Sequence, residues 1–282
     1  MTNGFEPNCV PDQGLTHAGV FHADEVFATA LLTMLNSHIK ITRANTVPAD
    51  FAGIVYDVGG GEFDHHQGKP KERPNGVPFS SLGLLWRHYG TLLLNEDDAQ
   101  SFDESFVQPI DLADNTGAPS AMSMCISDFN PRGASSPEDF ERCFWKAVAW
   151  ARQVLERRFA SLDYARASVS YVRQQMKVGD GKVLVLDEPV PWKASLVGSG
   201  YTYVVYPSPR GLYNAQCVPQ RLGDGSMVLP FPDAWRGKPS HELRLVTGVS
   251  DAEFCHASGF LCSAASLHGA KELAYRSLAQ GV

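Results

Sequence analysis

With 282 residues and a net charge of −7, the chain has material for two domains or one large one, and its acidic balance argues against non-specific adhesion to nucleic acid. The 44% hydrophobic and 20% charged fractions are those of an ordinary soluble protein, and no apolar run approaches the roughly 20 residues that a membrane span requires. Short or single-stranded substrates stay open, because a local basic groove or a bound metal can invert the field at one site.

Residues 1–14 read as a polar, loosely ordered lead-in; they carry Glu6 and Asp12 but no basic or apolar segment, so a signal peptide is not expected. A short strand is expected at Leu15-Thr16-His17, followed by a loop from Ala18 to Glu25. A helix then begins, in which Val26, Phe27, Ala30, Leu31, Met34 and Leu35 recur at three- and four-residue intervals. Asp24 and Glu25 lie at its start, where carboxylates suit the positive end of the dipole. Strands at residues 39–42 and 54–58 complete a βαβ pattern and imply a parallel sheet.

The last of these strands runs into Asp57-Val58-Gly59-Gly60-Gly61 and then Asp64-His65-His66-Gln67. Side chains at such a strand end project into the crevice where α/β proteins bind ligands. Glycines there let the backbone turn sharply and approach a bound group. The following loop, residues 68–76, holds Lys69, Lys71 and Arg73, either as a solvated surface or as a basic lip that steers phosphates; with Arg43 these are the cations that a polymer-binding cleft would use.

Ser80 and Ser81 are expected to cap a helix reaching Tyr89, and a helix N-terminus with hydroxyls is also an anion site. Residues 102–112 read as helical and lead into a glycine turn with two further carboxylates, Asp111 and Asp114. Ser136-Pro137-Glu138-Asp139 starts a helical region that continues, with a break, to about Met176. Arg152, Arg157 and Arg158 belong to its solvated faces. Gly179-Asp180-Gly181 marks a boundary between domains at 1–178 and 179–282. Beyond it, strands at 182–186, 201–206 and 215–218 and a helix from about 266 to 278 form a smaller α/β domain. Cysteines at 9, 125, 143, 217, 255 and 262 include no Cys-x-x-Cys pair and fit reduced thiols in a cytosolic protein.

His17, His22, Asp24, Asp57, Asp64, His65, His66, Asp111 and Asp114 all fall in loops at predicted strand ends or in glycine-flanked turns. A parallel sheet gathers such loops along one edge. Donors of this kind can hold two divalent cations bridged by a carboxylate, a pair that clamps the attacking and leaving oxygens of a displacement at phosphorus. The nitrogen content favours manganese, cobalt, iron or zinc over magnesium.

The motifs Thr16-His17-x-Gly19-x-Phe21-His22-x-Asp24-Glu25, Asp57-Val58-Gly59-Gly60, Asp64-His65-His66-Gln67 and Ser80-Ser81-x-Gly83-Leu84 resemble the DHH phosphoesterase superfamily. More narrowly, they resemble the melanocyte-proliferating-gene family of metal-dependent exonucleases. Weaker matches follow at Tyr206-Pro207-Ser208, Val218-Pro219, Leu229-Pro230, Trp235-x-Gly237 and Phe254-x-His256-x-x-Gly259-Phe260, so the likeness covers nearly the whole chain. The resemblance implies that His17, His22 and Asp24 hold metal, that Asp57 bridges, and that His65 ligates a second ion. It implies that His66 contacts the scissile phosphate, that Asp114 is the remaining ligand with Asp111 as runner-up, and that Asp64 orients a histidine. In the superfamily the C-terminal domain binds substrate across a cleft, which implies that His256 and the Gly259-Phe260 turn face the metals; Ser80 and Ser81 are substrate candidates through the anion site at their helix start. Two departures stand out: Leu261 to Ser266 replaces a glycine pair after that turn, and His22 stands where many members have aspartate.

The expectation is therefore a cytoplasmic α/β hydrolase with an N-terminal parallel-sheet domain and a C-terminal substrate domain. It uses two divalent ions, Mn(2+) by preference, to cleave phosphodiesters as a 3'-5' exonuclease on single-stranded or short RNA or oligonucleotides. No membrane partner is expected, and a homo-oligomer is left open. The competing readings are a small-molecule phosphohydrolase acting on a dinucleotide or pyrophosphate, and a non-catalytic metal-binding interaction protein.

Overall fold

The computed structural model describes residues 9–133 and 135–281, so most of the expected lead-in, residues 1–8, lies outside the described chain. The chain packs as two compact units, divided between Ala160 and Ser161. The glycine turn at 179–181 follows the end of the long helix inside which that division falls.

The first unit is built on a parallel sheet of β1 (Gln13–Thr16), β2 (Lys40–Arg43) and β3 (Ile54–Val55), in the order β2-β1-β3. Gln13 and Gly14 already pair with β2, so the polar lead-in ends before them. Helix α1 (Ala23–Leu35) is the crossover from β1 to β2 and is buried from Ala23 to Leu32. A helix apolar on nearly every side belongs in a core, and here it carries Asp24 and Glu25 inside with it. Strand β3 stops at Val55, three residues short of the expected end. Tyr56 makes a lone bridge to Phe63, and Asp57 takes a left-handed φ of 59°, which no strand can continue.

The remainder of this unit is helical: α2 (Ser81–Tyr89), a 3₁₀ turn (Gly90–Leu92), α3 (Glu96–Phe102), a π turn (Asp103–Val107), α4 (Gln108–Thr116) and α5 (Ala121–Ser127). Helix α6 (Pro137–Val178) begins in this unit. Two expectations change here. Asp111 and Asp114 lie within α4 rather than in a turn, since the helix stops only at Gly117, whose φ of 72° forms the left-handed cap. The α6 helix runs unbroken for 42 residues, because no glycine or proline follows Pro137 within it.

The second unit holds a five-stranded sheet in the order β4-β5-β6-β8-β7, parallel between β4 (Val183–Val185) and β5 (Tyr203–Pro207) and antiparallel elsewhere. Its other strands are β6 (Tyr213–Cys217), β7 (Ala252–Cys255) and β8 (Leu261–Ala264), with helices α7 (Lys193–Leu196), α8 (Ser240–Thr247) and α9 (Leu267–Gln280). Ser266 caps α9 by accepting from the Gly269 amide, and Ser277 meets the Tyr203 hydroxyl at 2.7 Å to seat that helix on the sheet. No helix among the described residues is long and apolar enough to cross a membrane.

Phe27, fully buried on α1, meets Phe106 edge-on at 5.2 Å. Phe27→Ala should lower the stability of this unit by about 3–5 kcal/mol, read as an earlier urea midpoint in the unfolding transition that reports on it.

Candidate metal centre

Parallel register brings the first donors together. Leu15 pairs with Val55, so the chain just past β1 runs beside the chain just past β3. His17 Nδ1 donates to the Ala18 carbonyl at 3.2 Å, which leaves Nε2 facing inward. That nitrogen lies 3.0 Å from Glu25 Oε1 and 3.2 Å from Asp57 Oδ2. The other oxygen of Asp57 lies 3.1 Å from His65 Nε2, so one carboxylate sits between two imidazoles. A left-handed backbone at a non-glycine residue is strained, and such strain gathers at functional sites.

The 57–66 loop is held by its own acid. Asp64 Oδ2 accepts from the Gly60 amide at 2.6 Å, and Oδ1 accepts from the His66 amide at 3.0 Å while pairing with His66 Nδ1 at 2.9 Å. Asp64 thus orients His66, whose side chain is 57% exposed.

Glu25 is the donor that sequence reasoning missed, having read it only as a helix-dipole residue. It is fully buried, and both its oxygens accept from the His22 amide, at 2.8 and 2.9 Å. The available signal was its place three residues after His22, the spacing at which a glutamate reaches back to a helix N-terminus. Asp24 is also fully buried; Oδ2 accepts from Ser81 Oγ at 2.7 Å, while Oδ1 is buried with no hydrogen-bond partner.

Donor atoms of Asp24, Glu25 and Asp57 lie within 4.8 Å of one another, as do those of His17, His22 and Glu25, of His22, Asp24 and Asp114, and of Asp57, His65 and His66. Ligands of one cation are separated by about twice a 2.0–2.4 Å bond, so each group is of the right size. Buried carboxylates at this spacing repel and are costly without a counter-charge. The unpartnered Asp24 Oδ1 and the mixed donor set therefore fit a divalent cation.

The titration behaviour follows from that crowding. Burial and the neighbouring carboxylates Asp24 and Asp57 push Asp114 up to about 8, and burial raises Asp24 and Glu25. Burial opposes charge on His17 and His65, but their bonds to Asp57 and neighbouring acids raise them to about 11 and about 9. Burial likewise opposes charge on Asp57, yet the same two imidazoles hold it at about 2.

A cavity of about 610 Å³ opens on this cluster, lined by His22, His65, His66 and Asp114, with Ser120 and Met124 of the α5 segment across from α4. Several expected site residues are engaged with other groups. Ser80 and Ser81 are fully buried rather than open to an anion, and their hydroxyls are donated to Asp111 and Asp24. Asp111 pairs with Arg73 at 2.8 Å, and Arg73 is only 7% exposed, so it forms no basic lip. Arg43 is likewise inside, stacked 4.1 Å from the Phe144 ring. In the second unit, His256 Nδ1 meets Ser258 Oγ at 2.8 Å, and a Cβ on Gly259 would fall 2.4 Å from Arg236 Nε and 3.1 Å from the Phe231 carbonyl. The residues after that turn, Cys262 to Ala264, are buried in β8, where side chains pack as glycines could not.

The family model described as "Uncharacterised protein family (UPF0160)", with the short name MYG1_exonuc, matches residues 14–278. The chain is 30% identical to the MYG1 exonuclease of Rattus norvegicus over 94% of its own length and 84% of that protein. It is 29% identical to a MYG1 protein of Schizosaccharomyces pombe over 93% of its own length and 96% of that protein. A Mg2+ complex of RecJ from Thermus thermophilus aligns at 14% identity with a TM-score of 0.30, over 95% of this chain and 49% of that one, which is too slight to bear on the fold.

Metal ligands must lose their protons before they bind. With His17 and His65 raised above 7 by neighbouring acids, and Asp114 by burial and nearby carboxylates, binding of a divalent ion at these residues should release protons and tighten as pH rises from 6 to 8. Calorimetry in buffers of different ionisation enthalpy measures the release, and a chelator should lower Tm by withdrawing the linkage stabilisation.

Proposed function

Because the chain belongs to the MYG1 exonuclease family (UPF0160), we propose that it is a metal-dependent hydrolase that trims RNA or short oligonucleotides one nucleotide at a time in the 3'-5' direction. The observation that carries this reading is the buried acid cluster: Asp24, Glu25 and Asp57 converge within 4.8 Å beside three histidines on one cavity. His17, His22, Asp24, Glu25, Asp57, His65 and Asp114 are the proposed ligands of a pair of divalent ions, Mn2+ by donor chemistry. When bound, such ions supply positive charge at the phosphoryl oxygens and lower the pKa of the attacking water.

The protein's own residues do the rest. Asp57, pinned between His17 and His65, fixes the spacing of the two halves of the cluster. His66 has Nδ1 held by Asp64, so its free Nε2 is the group that reaches a phosphoryl oxygen and steadies the charge developing there. Asn115 beside His65 keeps that ring oriented. His256 and the Gly259 turn are the proposed substrate contacts of the second unit. Six free cysteines support a reducing, cytoplasmic setting.

A shorter substrate such as a dinucleotide is the second reading. It is favoured by the burial of Arg43 and Arg73, which leaves Lys69 and Lys71 as the exposed cations of the four that a polymer groove would use.

The test is hydrolysis of a short end-labelled RNA with Mn2+. Wild type should shorten it stepwise from the 3' end. Asp57→Asn and His65→Ala should lose more than the roughly 10–100-fold typical of a supporting residue. His66→Ala should cut kcat by about 100–1,000-fold with Mn2+ affinity retained. Cleavage of a dinucleotide but not of RNA would establish the second reading instead.

A further inference from the structure

We propose that Arg73 and Asp111 are positioning residues: their buried pair fixes the segment 79–81 that leads into α2, and that segment presents Asp24 Oδ1 and His65 Nε2 to a bound cation. This role presupposes that the cluster holds a divalent metal, as proposed above.

Asp111 is fully buried with both oxygens engaged. Oδ1 accepts from Ser80 Oγ at 2.5 Å and from the Gly83 amide at 3.1 Å, and Oδ2 pairs with Arg73 Nη2 at 2.8 Å. The carboxylate fills the place of a missing side chain, since a Cβ on Gly83 would sit 1.9 Å from Oδ2. Arg73 is fixed in turn. Nε and Nη2 donate to the two oxygens of Asp103 at 2.8 and 2.6 Å, and the guanidinium lies 4.0 Å from the Phe79 ring centre. Only a planar fork can serve both acids and stack at once.

Two links run from this clamped segment to the acid cluster. The first is Ser81, whose Oγ and amide both reach Asp24 Oδ2, at 2.7 and 3.3 Å. One carboxyl oxygen is thereby held, and the unpartnered Oδ1 is left as the free donor. The second is Asn115. Its Nδ2 donates to the carbonyls of Phe79 at 3.2 Å and Asp111 at 2.9 Å, so both amide hydrogens are committed. Asn115 Oδ1 must then accept, and its neighbour at 3.3 Å is His65 Nδ1. With Nδ1–H engaged, Nε2 is the nitrogen left to ligate a cation once its proton is displaced.

Stability alone accounts poorly for this arrangement, because a buried ion pair is often no better than packed apolar residues. Aim is what it provides. Asp111 belongs to none of the donor groups that converge on the cluster among the described residues, and its oxygens meet Ser80, Gly83 and Arg73 instead.

The experiment is calorimetric titration of Mn2+ into the metal-stripped full chain, for wild type, Ser80→Ala, Asp111→Asn and Arg73→Lys, with a melting curve of each metal-free protein. Each variant should bind Mn2+ about 10–100-fold more weakly than wild type. A lowered Tm with Mn2+ affinity within about threefold of wild type, well inside the range for a supporting residue, would make the network structural and overturn the proposal. If either charge variant fails to fold, Ser80→Ala decides, since it removes one hydroxyl and leaves the ion pair. Wild type that binds Mn2+ but cleaves no RNA overturns the nuclease reading, while the variants still decide the positioning role. Wild type that binds no Mn2+ overturns both.

Discussion

Three carboxylates, those of Asp24, Glu25 and Asp57, are held within 4.8 Å of one another at no more than 3% exposure. Like charges in a poorly hydrated interior repel strongly, so the surrounding structure has to force them together. Burial of α1 on nearly every side drags Asp24 and Glu25 inward. The left-handed backbone at Asp57 swings its carboxylate between His17 and His65 instead of letting β3 continue. A sheet of three short strands is enough, because its task is to set two strand ends side by side.

Positive charge is distributed accordingly. Arg73 spends its guanidinium on Asp103 and Asp111, and Arg43 donates to the Gly19 carbonyl while stacking on Phe144. Neither is free to meet a phosphate. On the proposed reading, attraction for an anionic substrate would come from cations held by the acid cluster, from His66, and from lysines such as Lys69 and Lys71 on the exposed loop. The burial of two arginines is thus tied to the burial of the acids: each guanidinium neutralises or braces what supports the cluster.

How much of this was legible in the sequence depended on the range of the interaction. His17, Asp57 and His65 could be read because strand ends and glycines mark positions where side chains leave the sheet. Asp111 and Asp114 could not be separated, since both fell near Gly117 and only the helix decides their directions. On α4 one reaches Arg73 and Ser80, and the other lies 3.2 Å from His65. The hydroxyls of Ser80 and Ser81 looked like caps because a cap is a local pattern, whereas their actual acceptors lie 31 and 57 residues away. Arg43 and Arg73 looked like groove residues because no local pattern reveals that Phe144 and Phe79 cover them. The hairpin of β7 and β8 carries no Asn-Gly or Asp-Gly signal, and its strands escaped notice for that reason.

These constraints impose an order on binding. A cluster of buried carboxylates without cations presents negative potential to the cavity, and a phosphate approaching it meets repulsion. Protons on His17, His65 and Asp114 relieve part of that charge, but they occupy the lone pairs that ligation needs. Replacing those protons by a divalent ion exchanges a distributed, weakly directed charge for a concentrated one and reverses the local field. If the cluster holds a divalent ion as proposed, the same acids that repel a phosphate would become the reason it is held, and metal occupancy would precede phosphate affinity as a consequence of electrostatics.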